Sequence, residues 1–523
     1  MEIVKEYHFN REMKVFNNRP QHLFQVLVNA AEKYPEKEAL VSNEKRLTYK
    51  EFVTQSLAIA GNLQHKYEVK KGDRIALLVD NSMEFALLVF AIAKIGAIFV
   101  PLNTKLKEKE LKYMLAQSEA KVLVSDYEFQ NVVDKLKSHE EVAVQYYFTI
   151  HPEGKQSGSD LSYEELTQPS KPTEIEVNED DPAYIMYTSG TTGLPKGAMG
   201  SHLGLVHSAM NYEQVFKTSA ETKTLITIPL FHVTGLIGQL FHMVQTGGTS
   251  VIMRKYKTPE YIKRVAEENI TFLFNVPAIY IMMMEHEDFH SYTYQSVNCI
   301  AYGGAPLASE TFYLLRRYFP NAYLHNAYGA TETHSPTTLM PQIYTEDKVK
   351  SVGLPVPVAD VKIIDENGDE CPAGKVGELL IKGPMVIEGY WNNEEANRKS
   401  FVDGYWCSGD LATVDQDGFV YIMDRKKDMI NRGGEKIFSI EVENVLYEHP
   451  GIQEAAVVGI PDKIFGETVK AVVVPKGHQS LTSDDVIQFV AERLAKYKVP
   501  TVVEFMNELP RNPGGKILKN EIK

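Results

Sequence analysis

The run "YTSGTTGLPKGAMG", residues 187–200, is the stretch on which the fold turns. Seven of the eleven residues from Tyr187 to Gly197 are Gly, Ser or Thr, and a single lysine, Lys196, stands near the end. Glycines allow close backbone approach, and successive N–H groups with Ser/Thr hydroxyls can surround an anion. The preceding "AYIMY" is strand-like, so the loop sits at a strand end, where α/β folds place their ligands. A Walker A loop requires GxxxxGK[ST] leading into a helix. Here Pro195 precedes Lys196 and Gly197 follows it, so that pattern fails. On composition alone, a flexible Gly/Ser-rich surface loop is the competing reading.

Working outward, 523 residues exceed what one hydrophobic core organises, which predicts two or more domains. Hydrophobic residues at 44% and charged residues at 24% are ordinary for a globular protein. A net charge of −14 argues against general affinity for nucleic acid or anionic membrane. Cys299, Cys371 and Cys407 are far apart and form no CxxC pair, which predicts free thiols in a reducing cytoplasm. The charged start "MEIVKEYHFNREMK" lacks the apolar core of a signal peptide. The most apolar segment, "FALLVFAIAKIGAIFVPL" (85–102), is interrupted by Lys94 and limited by Gly96 and Pro101. It predicts a buried helix and no integral membrane segment.

Short β-branched runs alternate with helical patterns: "RIALLVD", "KVLVSD", "TLITIPL", "TSVIMR", "FLFNVP" and "VNCIAYGG" read as strands of parallel α/β layers. From about Ser351 the texture changes. "DVKIIDENGDECPAGKVGELLIKG" and "LATVDQDGFVYIMDR" read as antiparallel hairpins with turns at Asn367-Gly368 and Ala373-Gly374. Beyond them, "SIEVENVLYEHP" and "SDDVIQFVAERLAKY" read as helices, and "IQEAAVVGIPD" and "VKAVVVPKG" as strands. The fold class expected is α/β, with layered α/β subdomains and a small antiparallel part in residues 1–426. A separate small α+β domain follows in 427–523. The charge run 424–428 marks the boundary.

The loop "YTSGTTGLPKG" resembles the signature of the adenylate-forming enzymes: acyl-CoA synthetases, nonribosomal-peptide adenylation domains and luciferases. Further family motifs follow in order: "PLFHVTG" (229–235), "YGGAPL" (302–307), "NAYGATET" (326–333), "CSGD" (407–410), "DRKKDMINRGGEKI" (424–437) and "PRNPGGKILK" (510–519). The resemblance runs from about residue 20 to the end and is to the acyl-CoA synthetase branch, fatty-acid or aryl-acid CoA ligases. It implies a two-step reaction using ATP, Mg²⁺ and CoA. A carboxylate attacks the α-phosphate to give acyl-AMP and pyrophosphate, and a thiol then displaces AMP.

By the same resemblance, Thr188, Ser189, Gly190, Thr191, Thr192 and Lys196 hold the β- and γ-phosphates. Thr331 contacts the α-phosphate, and Glu332 binds Mg²⁺ with the Thr188 hydroxyl. Tyr328 stacks on adenine beside Asn326 and Ala327, with Gly303, Gly304 and Ala305 leaving room for the ring. Asp410 and Arg425 reach the ribose, Ser408 standing where Thr is common. Lys516 bridges the carboxylate and α-phosphate during adenylation, Lys427 is the hinge on which the small domain 427–523 moves as a mobile lid, and Gly433 and Gly434 line a tunnel for the pantetheine arm of CoA. His232 fills the thiol channel and moves aside; a packed core histidine is its competing reading.

The acyl pocket is expected around Leu236, Ile237, Gly238, Val276, Ala278 and Ile279. No acid stands in "PLFHVTG" to hold a substrate ammonium, which disfavours amino acids. A Trp gate found near Leu236 in some long-chain members is absent. The expected partners are a small carboxylic acid, favoured as a fatty acid, with ATP and CoA. An aryl acid, or loading of a carrier protein, is the alternative, and homodimer formation is left open.

Overall fold

The computed structural model describes all residues except 44, 152–159, 189–193, 306, 478–480 and 512–516. Its first compact unit comprises Met1–Ala305, Arg316–Asp360 and Ile381–Trp406; the second comprises Pro306–Leu315, Val361–Leu380 and Cys407–Lys523.

The first unit holds two large sheets. One has eight strands, in the order Gly389–Tyr390, Lys196–Ser201, Pro182–Thr188, Ile98–Pro101, Arg74–Leu78, Val122–Asp126, Tyr146–Ile150 and Leu161–Ser162. The other has nine, with Tyr323–Tyr328, Cys299–Gly303, Phe272–Asn275, Lys223–Ile226 and Thr249–Ile252 as its parallel centre. The expected parallel layers are therefore present inside both sheets. They give way at the edges, where Pro182–Thr188 and Lys196–Ser201 form an antiparallel hairpin. Its two strands are joined by too few residues for a parallel crossover.

The apolar segment at 85–102 begins the helix Met83–Lys94, capped by the Ser82 side chain on the Phe85 N–H and ended at Gly96, φ +63°. Phe85 to Ala93 are all buried, as a helix apolar on every side requires. A chain of ring contacts runs from Phe52 through Phe90, Phe241 and Phe99 to Tyr184, at centroid separations of 5.1–6.4 Å. It links helices to strands of the eight-stranded sheet in one core that also contains Leu40, Ile226 and Ile252 of the nine-stranded sheet. Among the described residues, no helix is long and apolar enough to cross a membrane.

In the second unit, Ile452–Asp462 and Gly466–Pro475 pair antiparallel, and Val502–Phe505 adds in parallel. Ala455, Val457, Val469, Ala471 and Val473 face Val442 and Leu446 of the helix Ser439–Tyr447 and Val486 and Val490 of the helix Ser483–Ala491. Ala456, Val458, Val472 and Val474 cover the opposite face with Leu509 and Ile522. This is the period of two expected of strands buried on both sides. The last helix stops at Ala491, six residues before Tyr497, because the chain turns there and packs Leu494, Tyr497 and Val499 against the same core. The expected hairpin is present, with Asp410 opposite Arg425. Buried Asp424 accepts from the Ser439 N–H at the start of the helix Ser439–Tyr447, and from the Ser439 hydroxyl at 3.0 Å.

Five imidazoles of the first unit are fully enclosed. Burial, the largest cause in each, lowers His202, His207 and His242 to pKa values of about 3 and His325 and His334 to about 4, against 6.5 in the open chain. Their neutral state stabilises the fold fully above pH 6.5, and that contribution is lost as pH falls toward 3–4. Unfolding at pH 5 is expected to take up close to one proton per imidazole, and the urea midpoint to fall between pH 7 and pH 5. A midpoint that stays flat across that interval contradicts this.

Candidate active site

The stretch 187–200 falls on the antiparallel strands Pro182–Thr188 and Lys196–Ser201 and the residues that join them. Residues 189–193, including Ser189, Gly190, Thr191 and Thr192, lie outside the described residues, as does Lys516. What is described is both feet of the loop. Thr188 ends the first strand and Lys196 begins the second, paired in register across from it.

A short helical turn, Thr331–Thr333, meets these feet. The Thr188 hydroxyl is 3.5 Å from Glu332 Oε1, and the Tyr390 hydroxyl donates to the same oxygen at 3.0 Å. The Lys196 ammonium lies over the Tyr390 ring, 4.9 Å from its centroid. Burial first, and the Glu332 charge second, push the Tyr390 phenol well above its usual pKa, so it remains a donor. The expected pair Thr188–Glu332 is thus brought together, and Tyr390 is an addition that sequence reasoning missed. Nothing in "EGYW" marks it locally; its signal is the edge strand Gly389–Tyr390, seen only once Ala198 pairs with Tyr390.

Close packing sets this corner. An added Cβ on Gly204 would fall 2.5 Å from His334 Cε1, and one on Gly200 would fall 2.6 Å from His334 Nε2 and 2.1 Å from the Tyr184 ring. The His334 ring therefore occupies the space two side chains would need. Its Nδ1–H donates to the Met385 carbonyl at 2.6 Å, and the Ile387 N–H donates to the Glu332 carbonyl at 2.9 Å.

Nearby, Gly303 pairs with Ala327, and Tyr328 ends the adjoining strand half-buried. Gly303 has a packing reason of its own, since a Cβ there would lie 2.4 Å from the Ala327 carbonyl oxygen. Gly304 takes φ +76° and approaches Val276, while Ala305 is exposed. Asn326 donates to the Ser351 carbonyl at 3.0 Å.

His232 is partly buried; burial, then the Lys105 charge, lowers its pKa to about 4, so the imidazole is neutral. Its loop is pinned by Asn81, another residue missed in the sequence. The Asn81 amide donates to the Ile228 and Met253 carbonyls at 3.1 and 3.3 Å, and its oxygen accepts from the Leu230 N–H at 2.8 Å. The acyl-pocket candidates divide. Leu236 and Gly238 are buried on the π-helix Thr234–Phe241, Gly238 against Phe274, whereas Val276 and Ala278 are exposed.

In the second unit, Arg425 Nε pairs with Asp410 Oδ1 at 2.6 Å. Ser408 shapes this turn by accepting from the Asp410 N–H at 3.0 Å and donating to the Leu379 carbonyl at 2.7 Å. Lys427 is exposed in the turn that follows. Gly433 and Gly434 form the tip of a hairpin at φ +61° and +93°, a conformation that favours glycine.

A hydroxyl, a carboxylate and a lysine thus meet at the described feet of the hairpin. Comparison with known proteins gives the family. Residues 27–391 match the model of the AMP-binding enzyme family, and residues 441–516 match its C-terminal domain. The chain belongs to the AMP-binding enzymes. This adenylate-forming family member is 34% identical to a feruloyl-CoA synthase of Amycolatopsis sp over 95% of this chain and 97% of the relative. It is 31% identical to a long-chain-fatty-acid–CoA ligase of Salmonella typhimurium, with 97% and 95% covered. The structure of o-succinylbenzoate CoA synthetase from Bacillus subtilis, in complex with its acyl-adenylate intermediate, superposes with a TM-score of 0.85 at 31% identity, covering 97% of this chain and 98% of that one. The family and fold class anticipated from the motifs are those found.

In this AMP-binding enzyme, Gly204→Ala is expected to displace His334 and to cost about 1–3 kcal/mol by overpacking. Denaturant unfolding measures it, and an unchanged midpoint would show that the ring is not confined by the glycine.

Proposed function

We propose that this enzyme is an AMP-forming acid–thiol ligase that activates an apolar carboxylic acid with ATP and transfers the acyl group to CoA. The observation that carries this reading is the Thr188–Glu332 contact at the foot of the loop, 3.5 Å, with the Lys196 cation beside it. A carboxylate is a poor electrophile, and oxide is a poor leaving group. Attack of a carboxylate oxygen on the α-phosphorus forms the acyl–phosphate bond and breaks the bond to pyrophosphate. The CoA sulfur then attacks the acyl carbon, AMP leaves, and the thiol proton is released.

The residues divide this work. The loop from Thr188 to Thr192, with Lys196, grips the β- and γ-phosphates; Thr331 contacts the α-phosphate. Thr188 and Glu332 offer hard oxygens of the kind Mg²⁺ takes while keeping water and phosphate as its other ligands, so this donor set fits the ion. Mg²⁺ bound there supplies charge neutralisation for the phosphates. Tyr328 stacks on adenine, and Asp410 with Arg425 binds ribose. Lys516 is the cation between the two anions during attack. Rotation about Lys427 exchanges Lys516 for the Gly433–Gly434 hairpin, which admits the pantetheine arm. Neutral His232 fills the thiol channel without adding charge.

The acid is apolar, fatty or aryl; the relatives include named ligases of both kinds. Buried Leu236, and Gly238 against Phe274, support an apolar group at its inner end. Pyrophosphate release over a panel of aliphatic and aryl acids, with and without CoA, tests the proposal. Release with an apolar acid and a CoA-dependent thioester are expected. No release with any acid would refute it, and release without thioester would favour a carrier protein as acceptor. Lys516→Ala is expected to slow adenylation on the order of 10²–10³-fold while leaving thioester formation from supplied acyl-AMP largely intact. Equal loss of both steps would refute its assignment.

A further inference from the structure

A carboxylate and an ammonium occupy the same corner of the first unit, yet Glu332 and Lys196 do not pair with each other. Tyr390 touches both. Its hydroxyl donates to Glu332 Oε1 at 3.0 Å, and its ring face carries the Lys196 ammonium at 4.9 Å from the centroid. Thr188 approaches the same Oε1 at 3.5 Å, and among the described residues Oε2 takes no hydrogen bond.

The Tyr390 backbone is fixed on both sides. Its N–H donates to Asn397 Oδ1 at 2.6 Å, and its carbonyl accepts from Asn397 Nδ2 at 3.2 Å. The next residue, Trp391, donates its N–H to the Gly197 carbonyl at 2.8 Å. The side chain packs with Ala198, Ile387 and Ala396, and Phe401 lies alongside. A phenol offers a donor edge to an anion and an electron-rich face to a cation, so one side chain can hold opposite charges apart.

We propose that Tyr390 is a positioning residue that keeps Lys196 and Glu332 from neutralising each other, holding one oxygen of Glu332 for a divalent cation and Lys196 for the triphosphate. Without the ring, a long flexible lysine beside a carboxylate closes into a direct ion pair. Metal and phosphates then compete with that pair. The inference rests on the assignment of Glu332 as a metal ligand under the proposed function.

The test uses Mn²⁺ alone as the probe, its binding measured by electron paramagnetic resonance without nucleotide, so that loss of Lys196 removes no phosphate contact from the readout. Melting temperature reports folding. Tyr390→Phe keeps the ring and loses the donor; Tyr390→Leu loses both. Mn²⁺ affinity is expected to fall modestly in the first and about tenfold or more in the second. Adding Lys196→Met to Tyr390→Leu removes the competing cation and is expected to restore Mn²⁺ affinity to the level of Tyr390→Phe. A packing role alone would move the melting temperature and show no such rescue. Wild-type Mn²⁺ affinity in folded Tyr390→Leu, or no recovery in the double variant, overturns the proposal. Should Tyr390→Leu not fold, unchanged Mn²⁺ affinity in Tyr390→Phe overturns it. These readouts need no acid, so they are separable from failure of the ligase reading. If Glu332→Gln leaves Mn²⁺ binding intact, the metal assignment itself falls.

Discussion

The ring of His334 sits where the side chains of residues 200 and 204 would be, and the active corner depends on that one piece of packing. Two glycines, one ending the hairpin and one in the first turn of the following helix, let the chain after the strand Tyr323–Tyr328 press against the hairpin. A tight reversal at His334 and Ser335, φ +49° and +88°, then turns it away. Gly329 permits the same reversal, because a Cβ there would overlap the Ser335 carbonyl. The result is that Glu332 meets Thr188. Enclosing a neutral imidazole is the means, and its depressed pKa is the consequence.

In the first unit Tyr390 touches both charged side chains of this corner, donating to Glu332 and carrying the Lys196 ammonium over its ring. In the second unit Asp410 and Arg425 are instead directly paired across the hairpin, with Ser408 shaping the turn. Backbone geometry matters as much as side chains. Gly433 and Gly434 at positive φ present a hairpin tip without side chains.

Much of this was legible in the sequence. The buried central strands and the helix after "RIALLVD" follow from long apolar runs, and the two faces of the second unit's sheet follow from the alternation in "IQEAAVVGIPD". The Thr188–Glu332 pairing came from motif resemblance, since no local pattern links residues 144 positions apart. The returning strand Lys196–Ser201 was not legible, because "KGAMGS" has neither β-branched residues nor alternation. Tyr390, Asn81 and His334 were missed for a related reason. Each acts through a partner far along the chain, and nothing in its own neighbourhood separates it from an ordinary core residue. The helix end at Ala491 was misplaced because tertiary packing of Leu494 and Tyr497 overrides a continuing helical pattern.

In the proposed reaction ATP is held so that an acid's own oxygen attacks the α-phosphorus. Supplying an accepted acid labelled with oxygen-18 in its carboxyl group, with ATP and CoA, and weighing the nucleotide product tests this directly. AMP carrying one heavy oxygen and unlabelled pyrophosphate are the expected products. Unlabelled AMP, or ADP as the product, would contradict that reaction.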